Sequence, residues 1–294
     1  MEILNSSMPK SKSIHIPKAT RYQNAAIDYY QGLTGSSYLH YGYWEPLPTS
    51  SEDLTVAQLP AAQEAYTAKL LTFIPEGINT VLDVGCGIGG NAAYLIDRGF
   101  TVEGLAPDLF QEEKFINNTK GRALFHLSRF EDFQGTRTYD LILFSESSQY
   151  IAADDLAYGA ARLLKGGGYL LLADMMRTDT KYHEGIFSNC HVTGELQAAL
   201  MQAGFKLVKA EDISKSIAPT IDLYVETFRT FGLSTINYIA ALVAIAVPPL
   251  HLIGRWLFNR WGKKLIDEGL AARTIFDRYL CYEIQLWQLS EKDK

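Results

Sequence analysis

Asp83 lies inside an apolar run, Val81-Leu82-Asp83-Val84, that breaks at once into Gly85-Cys86-Gly87-Ile88-Gly89-Gly90. An unpartnered carboxylate in such a run is costly, so a cationic or hydrogen-bond-donating group must meet it. Four glycines in six positions strip a turn of side chains and let a ligand approach the backbone. A strand, this turn and a helical stretch from Asn91 to Arg98 make a nucleotide-type site. Gly85, Gly87 and Gly90 also satisfy the G-x-G-x-x-G dinucleotide fingerprint, with Glu103 near the place of its ribose-binding acid. The acid ahead of the first glycine separates the two readings, because it would repel a pyrophosphate and attract an ammonium group.

The elements that must position this turn alternate in type. A helix is predicted over Ala61–Phe73, then strands at Val81–Val84, Thr101–Leu105, Ala123–Leu127, Tyr139–Ser145, Tyr169–Ala173 and Phe205–Ala210. Helices are predicted between them at Asn91–Arg98, Asp108–Lys120, Asp154–Leu164 and Thr193–Ala203, with Gly166-Gly167-Gly168 as a C-cap and sharp turn. This order implies a parallel α/β sheet covered on both faces, with ligands gathered beyond the carboxyl ends of the strands.

The residues after each strand carry a resemblance. Asp-x-Gly-x-Gly-x-Gly at 83–89 resembles the first motif of class I S-adenosylmethionine-dependent methyltransferases. His40-Tyr41-Gly42-Tyr43-Trp44-Glu45-Pro46, Ser145-Glu146-Ser147-Ser148-Gln149-Tyr150 and Lys209–Pro219 narrow it to the group of γ-tocopherol, sterol, phosphoethanolamine and cyclopropane-fatty-acid methyltransferases. The similarity runs from about Tyr22 to the C-terminus. It implies a Rossmann-like seven-stranded sheet with helices on both faces, an N-terminal cap and a C-terminal helical lid insertion. The corresponding divisions are a tail and cap at 1–60, a cofactor-binding core at 61–215, and lid helices with a final antiparallel strand (Tyr279–Gln288) at 216–294.

The resemblance also implies roles. Asp83, Gly85 and Gly87 would hold the methionine half of S-adenosylmethionine, and Gln111, Phe130 and Glu131 the nucleoside half. Tyr41 and Ser145 also fall on the cofactor side, and the His40–Tyr43 segment would close over the sulfonium. Tyr43 and Gln149 fall on the acceptor side. Where many methyltransferases have a ribose-binding acid after the second strand, this chain has Ala106, and where the relatives tend to have Glu-His after the fourth, it has Gln149-Tyr150. A sulfonium methyl is already electrophilic, so the protein chiefly aligns the reactants, excludes water and takes up a proton. The candidates for that proton are Glu146, His40, Tyr150 and His191, with Tyr41 as an orienting group, and Glu146 stands best placed just after the fourth strand.

The last eighty residues add a second feature. Ile236–Ile253 is almost wholly apolar, but Pro248-Pro249 interrupts it and Asn237 and His251 would be stranded in lipid. Beyond it, Leu250, Ile253, Leu257, Phe258, Trp261 and Leu265 fall on one helical face, with Arg255, Asn259 and Lys263 opposite. Residues 236–265 therefore read as a lid packed on the sheet, as a helix at a membrane surface, or as both.

Composition sets the outer bounds. The 294 residues are 47% hydrophobic and 20% charged, enough for a substantial core, with 17 tyrosines and 14 phenylalanines that suit an aromatic pocket. A formal net charge of −6 argues against a nucleic-acid partner. Cys86, Cys190 and Cys281 are widely spaced, without a metal-type pair, and read as reduced thiols of a cytoplasmic protein. Residues Met1–Lys18 lack a long apolar core and read as a tail rather than a secretory signal. The expected reaction is methyl transfer to a hydrophobic small molecule, with carbon methylation of an aromatic or isoprenoid acceptor preferred. The alternatives are N- or O-methylation of a specialised metabolite and a membrane-associated cofactor-binding protein without turnover.

Overall fold

The computed structural model describes residues 18–50 and 53–291. The tail expected at the N-terminus thus lies, save for Lys18, outside the described residues. Seven strands form one sheet in the order β3-β2-β1-β4-β5-β7-β6. They are β1 Thr80–Val84, β2 Thr101–Ala106, β3 Leu124–Leu127, β4 Tyr139–Ser145, β5 Leu164–Arg177, β6 Phe205–Asp212 and β7 Leu280–Leu289. All pairs are parallel except those of β7, which runs antiparallel between β5 and β6, one place in from the edge.

Alternation along the strands explains the two-sided cover. Val81, Leu141, Leu143 and Leu171 point into one buried cluster, and Leu82, Ile142, Phe144, Leu170 and Leu172 into the other. On the first face pack helices α2 (Leu59–Leu71) and α3 (Gly90–Ile96), with Phe115 of α4 (Leu109–Thr119). On the second face pack α5 (Ala153–Leu163) and α6 (Thr193–Gln202). An N-terminal helix, α1 (Lys18–Thr34), precedes the cap segment.

Two predictions are corrected. The glycines at 166–168 do not cap α5. The chain passes straight from the helix into extended backbone at Leu164, and the glycines fall inside β5, where Tyr139 pairs with Leu164 but Leu141 with Tyr169. They make a bulge, with Gly167 at φ +75°.

The second correction concerns the lid. A helical insertion does separate β6 from β7: α7 (Ser214–Thr227), α8 (Leu233–Ala246), α9 (Pro248–Leu257), α10 (Lys263–Leu270) and α11 (Ala272–Tyr279). Its two ends pack on the core through Ile217, Ile221, Leu223 and Phe276. Its middle does not. No residue of α8 is buried, and Leu250, Leu252 and Trp256 of α9 are exposed. The apolar stretch is therefore not a lid packed on the sheet.

Strand order reverses between β1 and β4, which opens a crevice beyond their carboxyl ends. The glycine turn follows one of these strands and Ser145–Tyr150 the other.

Candidate active site

β1 delivers Asp83 and the turn together. Asp83 is 1% exposed, and its Oδ2 has no hydrogen-bond partner. Burial pushes its carboxyl up to about 7. The residue sits behind the turn, while Val84, Gly85, Cys86 and Gly87 form the wall. Gly85 takes φ +71°, a conformation that side chains disfavour. A Cβ there would stand 2.3 Å from Ser147 Cβ. The loop after β4, rather than open ligand space, thus occupies the room that Gly85 leaves. Ser147 locks that contact by donating from Oγ to the Val84 carbonyl at 2.5 Å.

Beyond the turn lies a cavity of about 1240 Å³, large enough for a nucleoside-sized ligand and a second molecule. Gln111, Phe130, Glu131, Ser145, Glu146, Gln149, Tyr150 and His40 all reach its wall. Gln111 stands in the first turn of α4, which Asp108 caps through Oδ1 and the Phe110 N–H at 3.1 Å. Phe130 is largely core: it is 4% exposed, packs edge-on to Phe144 and sits where any side chain at Gly159 would strike it. Glu131 is paired with Arg129 at 2.7 Å. Gln149 accepts the Cys190 thiol at 3.3 Å, and Tyr150 is 62% exposed at the rim.

Glu146 lies in the wall of the crevice, just past β4. Its backbone lies at φ +55°, one of two non-glycine residues with positive φ among those described. Such strain persists where the surroundings impose it, often at a functional residue. Here the Glu146 N–H is held by the Ala173 carbonyl at 2.9 Å. Oε1 accepts from the Tyr41 N–H at 2.8 Å and from the Tyr282 hydroxyl at 2.9 Å. Burial outweighs these bonds and pushes the carboxyl up to about 8, with Asp174 adding a smaller push in the same direction. Tyr66 and Tyr282 share a hydroxyl contact of 2.8 Å, and Tyr66 also meets Ser145 Oγ at 3.2 Å.

Three residues stand elsewhere than the sequence placed them, and a fourth is not available for the role it was given. Tyr41 gives Glu146 its N–H, but its ring lies off the cavity wall, against Tyr224 and Tyr282. The Tyr43 ring is off the wall too, with its hydroxyl on Glu45 at 2.6 Å. His191 lies behind the post-β4 loop, where Nε2–H donates to the Ser148 carbonyl at 2.9 Å; it orders that loop from outside the cavity. His40 does reach the wall, yet both ring nitrogens are engaged. Nδ1 lies 2.8 Å from the Tyr41 carbonyl oxygen, and Nε2 lies 3.0 Å from Asn91 Oδ1. Burial pulls His40 down to about 4, so it is neutral and has no free nitrogen for a proton.

Asp174, Tyr282, Tyr66 and Asn91 belong to the site's support and went unread in the sequence. Asp174, buried within β5, accepts the Ser148 N–H through Oδ2 at 2.9 Å and leaves Oδ1 without a partner. Its place immediately after an apolar strand run was the available signal. Glu103, the acid of the dinucleotide reading, is absent from the cavity wall. It instead binds His126 and Tyr139, each at 2.7 Å, together with Arg137.

The reversed strand order, the bare turn with a buried acid behind it and the adjoining cavity define a class I methyltransferase fold and site. Residues 57–210 match the methyltransferase-domain family model, and the chain belongs to that family, whose methyl donor is S-adenosylmethionine. The chain is 25% identical over 268 residues to a sterol 24-C-methyltransferase of Pneumocystis carinii (strain B80), covering 81% of this chain and 65% of that one. It thus spans just under two thirds of that relative's length. Among solved structures, the [4+2]-cyclase SpnF superposes with a TM-score of 0.69 at 17% identity, over 94% of this chain and 96% of that one. A geranyl diphosphate C-methyltransferase from Streptomyces coelicolor A3(2) superposes with a TM-score of 0.66 at 16% identity, over 92% and 96%.

The donor fits the residues present. Asp83 offers an unsatisfied buried carboxylate oxygen behind the turn, and Gln111 and Glu131 offer polar groups at the other end of the cavity.

Proposed function

We propose that the chain transfers a methyl group from S-adenosylmethionine to a hydrophobic small molecule, and that Glu146 receives the proton the acceptor gives up. The observation that carries this reading is Glu146 itself, half-buried in the cavity wall at the switch point of the sheet with its carboxyl pushed up to about 8. When bound, the donor supplies an electrophilic methyl group on a positively charged sulfur. Asp83 and the turn at 85–87 hold the amino-acid end of that donor, and Gln111, Phe130 and Glu131 the nucleoside end. Glu146 gives up its own proton as positive charge enters the cavity and is then a base. Tyr282 and the Tyr41 N–H fix Oε1, so that the carboxylate keeps one orientation while the acceptor approaches. Tyr150 and Gln149 line the same cavity and would face the acceptor.

Support for a hydrophobic acceptor comes from the apolar cavity wall, and from the sterol and geranyl diphosphate methyltransferases that the chain resembles. Carbon methylation of an isoprenoid or aromatic acceptor is the preferred form. Such acceptors partition into lipid, and residues 236–265 are the segment that would meet it. The test is incubation with labelled donor and a panel of isoprenoid, phenolic and amine acceptors. Expected is a singly methylated isoprenoid or phenol with equimolar S-adenosylhomocysteine. Transfer only to amines would replace the acceptor assignment. Donor binding without transfer to any acceptor would favour a cofactor-binding protein that does not turn over.

A further inference from the structure

The insertion between β6 and β7 leaves the body of the protein at a definite point and returns at a matching one. Phe228–Gly232 and Phe258–Gly262 are both wide π-helical turns of the form Phe-x-x-x-Gly. In each the phenylalanine ring lies against the glycine, with a hypothetical Cβ only 2.6 Å and 2.8 Å from the ring. Between them run α8 and α9, with the helix broken at Val247 ahead of Pro248-Pro249. Phe231, Tyr238, Ile245, Leu252, Trp256 and, just beyond, Leu265 are all more than half exposed. Contiguous exposure of this kind marks an interaction surface.

Charge identifies the partner. Residues 228–266 hold five basic side chains (Arg229, Arg255, Arg260, Lys263, Lys264) and no acidic one, in a chain whose net charge is −6. Four of the five fall within ten residues, 255–264, beside the exposed apolar face of α9. A second copy docking by the same face would bring like charges together. A helix long and apolar enough to span a membrane is present, but its anchorage and its charge argue against a span. Ser214–Ala246 is one helix of 33 residues, but its first part, α7, is held by the core through Ile217, Ile221 and Leu223. Beyond that held part, α8 supplies 14 residues, about 21 Å of helix against the ~30 Å hydrocarbon thickness, and the turn that precedes it carries the charged Arg229.

We infer that residues 228–266 are an interfacial anchor for an anionic lipid bilayer, with α8 and α9 entering the headgroup and upper acyl region and the basic cluster of 255–264 on the lipid phosphates. The inference rests on the membrane contact proposed for residues 236–265 and adds its lipid charge and its depth. The anchor is continuous with the cavity. Tyr224 of α7 packs on Tyr30, 5.6 Å between ring centres, and Tyr30 forms part of the cavity wall. One helix therefore carries both a residue against the cavity wall and the membrane contact, so an acceptor leaving the bilayer enters beside it.

The test is co-sedimentation of the full chain with phosphatidylcholine vesicles, with and without about 30% phosphatidylserine. Expected is at least about tenfold tighter binding to the anionic vesicles, weakening with salt. Arg255→Glu with Lys263→Glu should abolish that selectivity, and Leu252→Ser with Trp256→Ser should weaken binding to both vesicle types. Equal wild-type binding to neutral and anionic vesicles would overturn the charge assignment. Binding that resists alkaline carbonate extraction would overturn the interfacial depth. No vesicle binding, with a wild-type dimer that Leu252→Ser and Trp256→Ser dissociate, would overturn the anchor in favour of self-association. Donor affinity, measured in parallel by calorimetry without vesicles, tests the methyltransferase reading separately.

Discussion

Tyr282 and Glu146 are joined by a 2.9 Å hydrogen bond between residues 136 positions apart, one on the last strand and one just past β4. The Tyr41 N–H reaches the same carboxylate oxygen, so the cap, the loop after β4 and β7 converge on one atom. This convergence fixes a carboxyl that burial keeps protonated up to about pH 8 in the ligand-free protein. It makes Glu146 the group to test first. Glu146→Gln should preserve both hydrogen bonds, since an amide oxygen also accepts, and should lower kcat by at least about tenfold, while weakening the pH dependence of donor affinity to that of Asp83 alone. Tyr282→Phe keeps the ring and loses only the hydroxyl, so its effect on kcat should be smaller. An unaltered kcat in Glu146→Gln would remove it as the base.

Donor binding should itself depend on pH. Asp83 and Glu146 are raised to about 7 and about 8, and a positively charged ligand binds best where they are ionised. Between pH 6 and pH 8 the affinity for S-adenosylmethionine should therefore rise by about tenfold or more, with proton release on binding at the lower pH. Calorimetry in buffers of different ionisation enthalpy measures both. The sign for stability is opposite. Raised carboxyl values mean that the ligand-free fold holds protons more tightly than the unfolded chain, so its Tm should fall as pH rises from about 5 to about 8. Added donor should restore more of that Tm at pH 8 than at pH 6.

Gly85 offers a test of packing. Gly85→Val places a Cβ on Ser147 at a positive φ and breaks the seat of the Ser147–Val84 hydrogen bond. The expected cost is at least about 2 kcal/mol, read as a lowered denaturation midpoint, together with loss of donor binding. Ser147→Ala beside it should cost less, because it removes one hydrogen bond without adding bulk. An unchanged midpoint in Gly85→Val would mean that the post-β4 loop does not fill the space beside the glycine.

Much of this was legible in the sequence, for a physical reason. The strands β1 to β4 are short apolar runs ended by glycine or polar residues, and Tyr139–Ser145 has the same bounds in sequence and structure. The glycine turn announces itself because backbone constraint is written in residue type. What failed to show depends on partners far apart in the chain. Nothing local reveals that Tyr282 crosses to Glu146, or that His191 faces the Ser148 carbonyl rather than the cavity. The glycines at 166–168 suit a helix cap as well as a strand bulge, and only the pairing of β4 with β5 decides between them. Residues 236–265 show the same limit: an apolar face declares that it needs cover, not what covers it.

Asp174 carries the last prediction. It is fully buried, burial raises its carboxyl to about 6, and its Oδ2 holds the Ser148 N–H, two residues from Glu146. It therefore acts on Glu146 in two ways, by fixing the loop and by charge repulsion that favours the protonated form of Glu146. Asp174→Asn separates the two. The amide oxygen can still accept from Ser148, while the negative charge is lost. If charge coupling matters, the rising limb of the kcat–pH profile should move to lower pH, because Glu146 ionises more readily without its neighbour. Asp174→Ala removes both effects and should also lower the Tm. A merely structural Asp174 would leave the pH profile of the Asn variant where it stands in the wild type, and that result would confine its role to holding the loop.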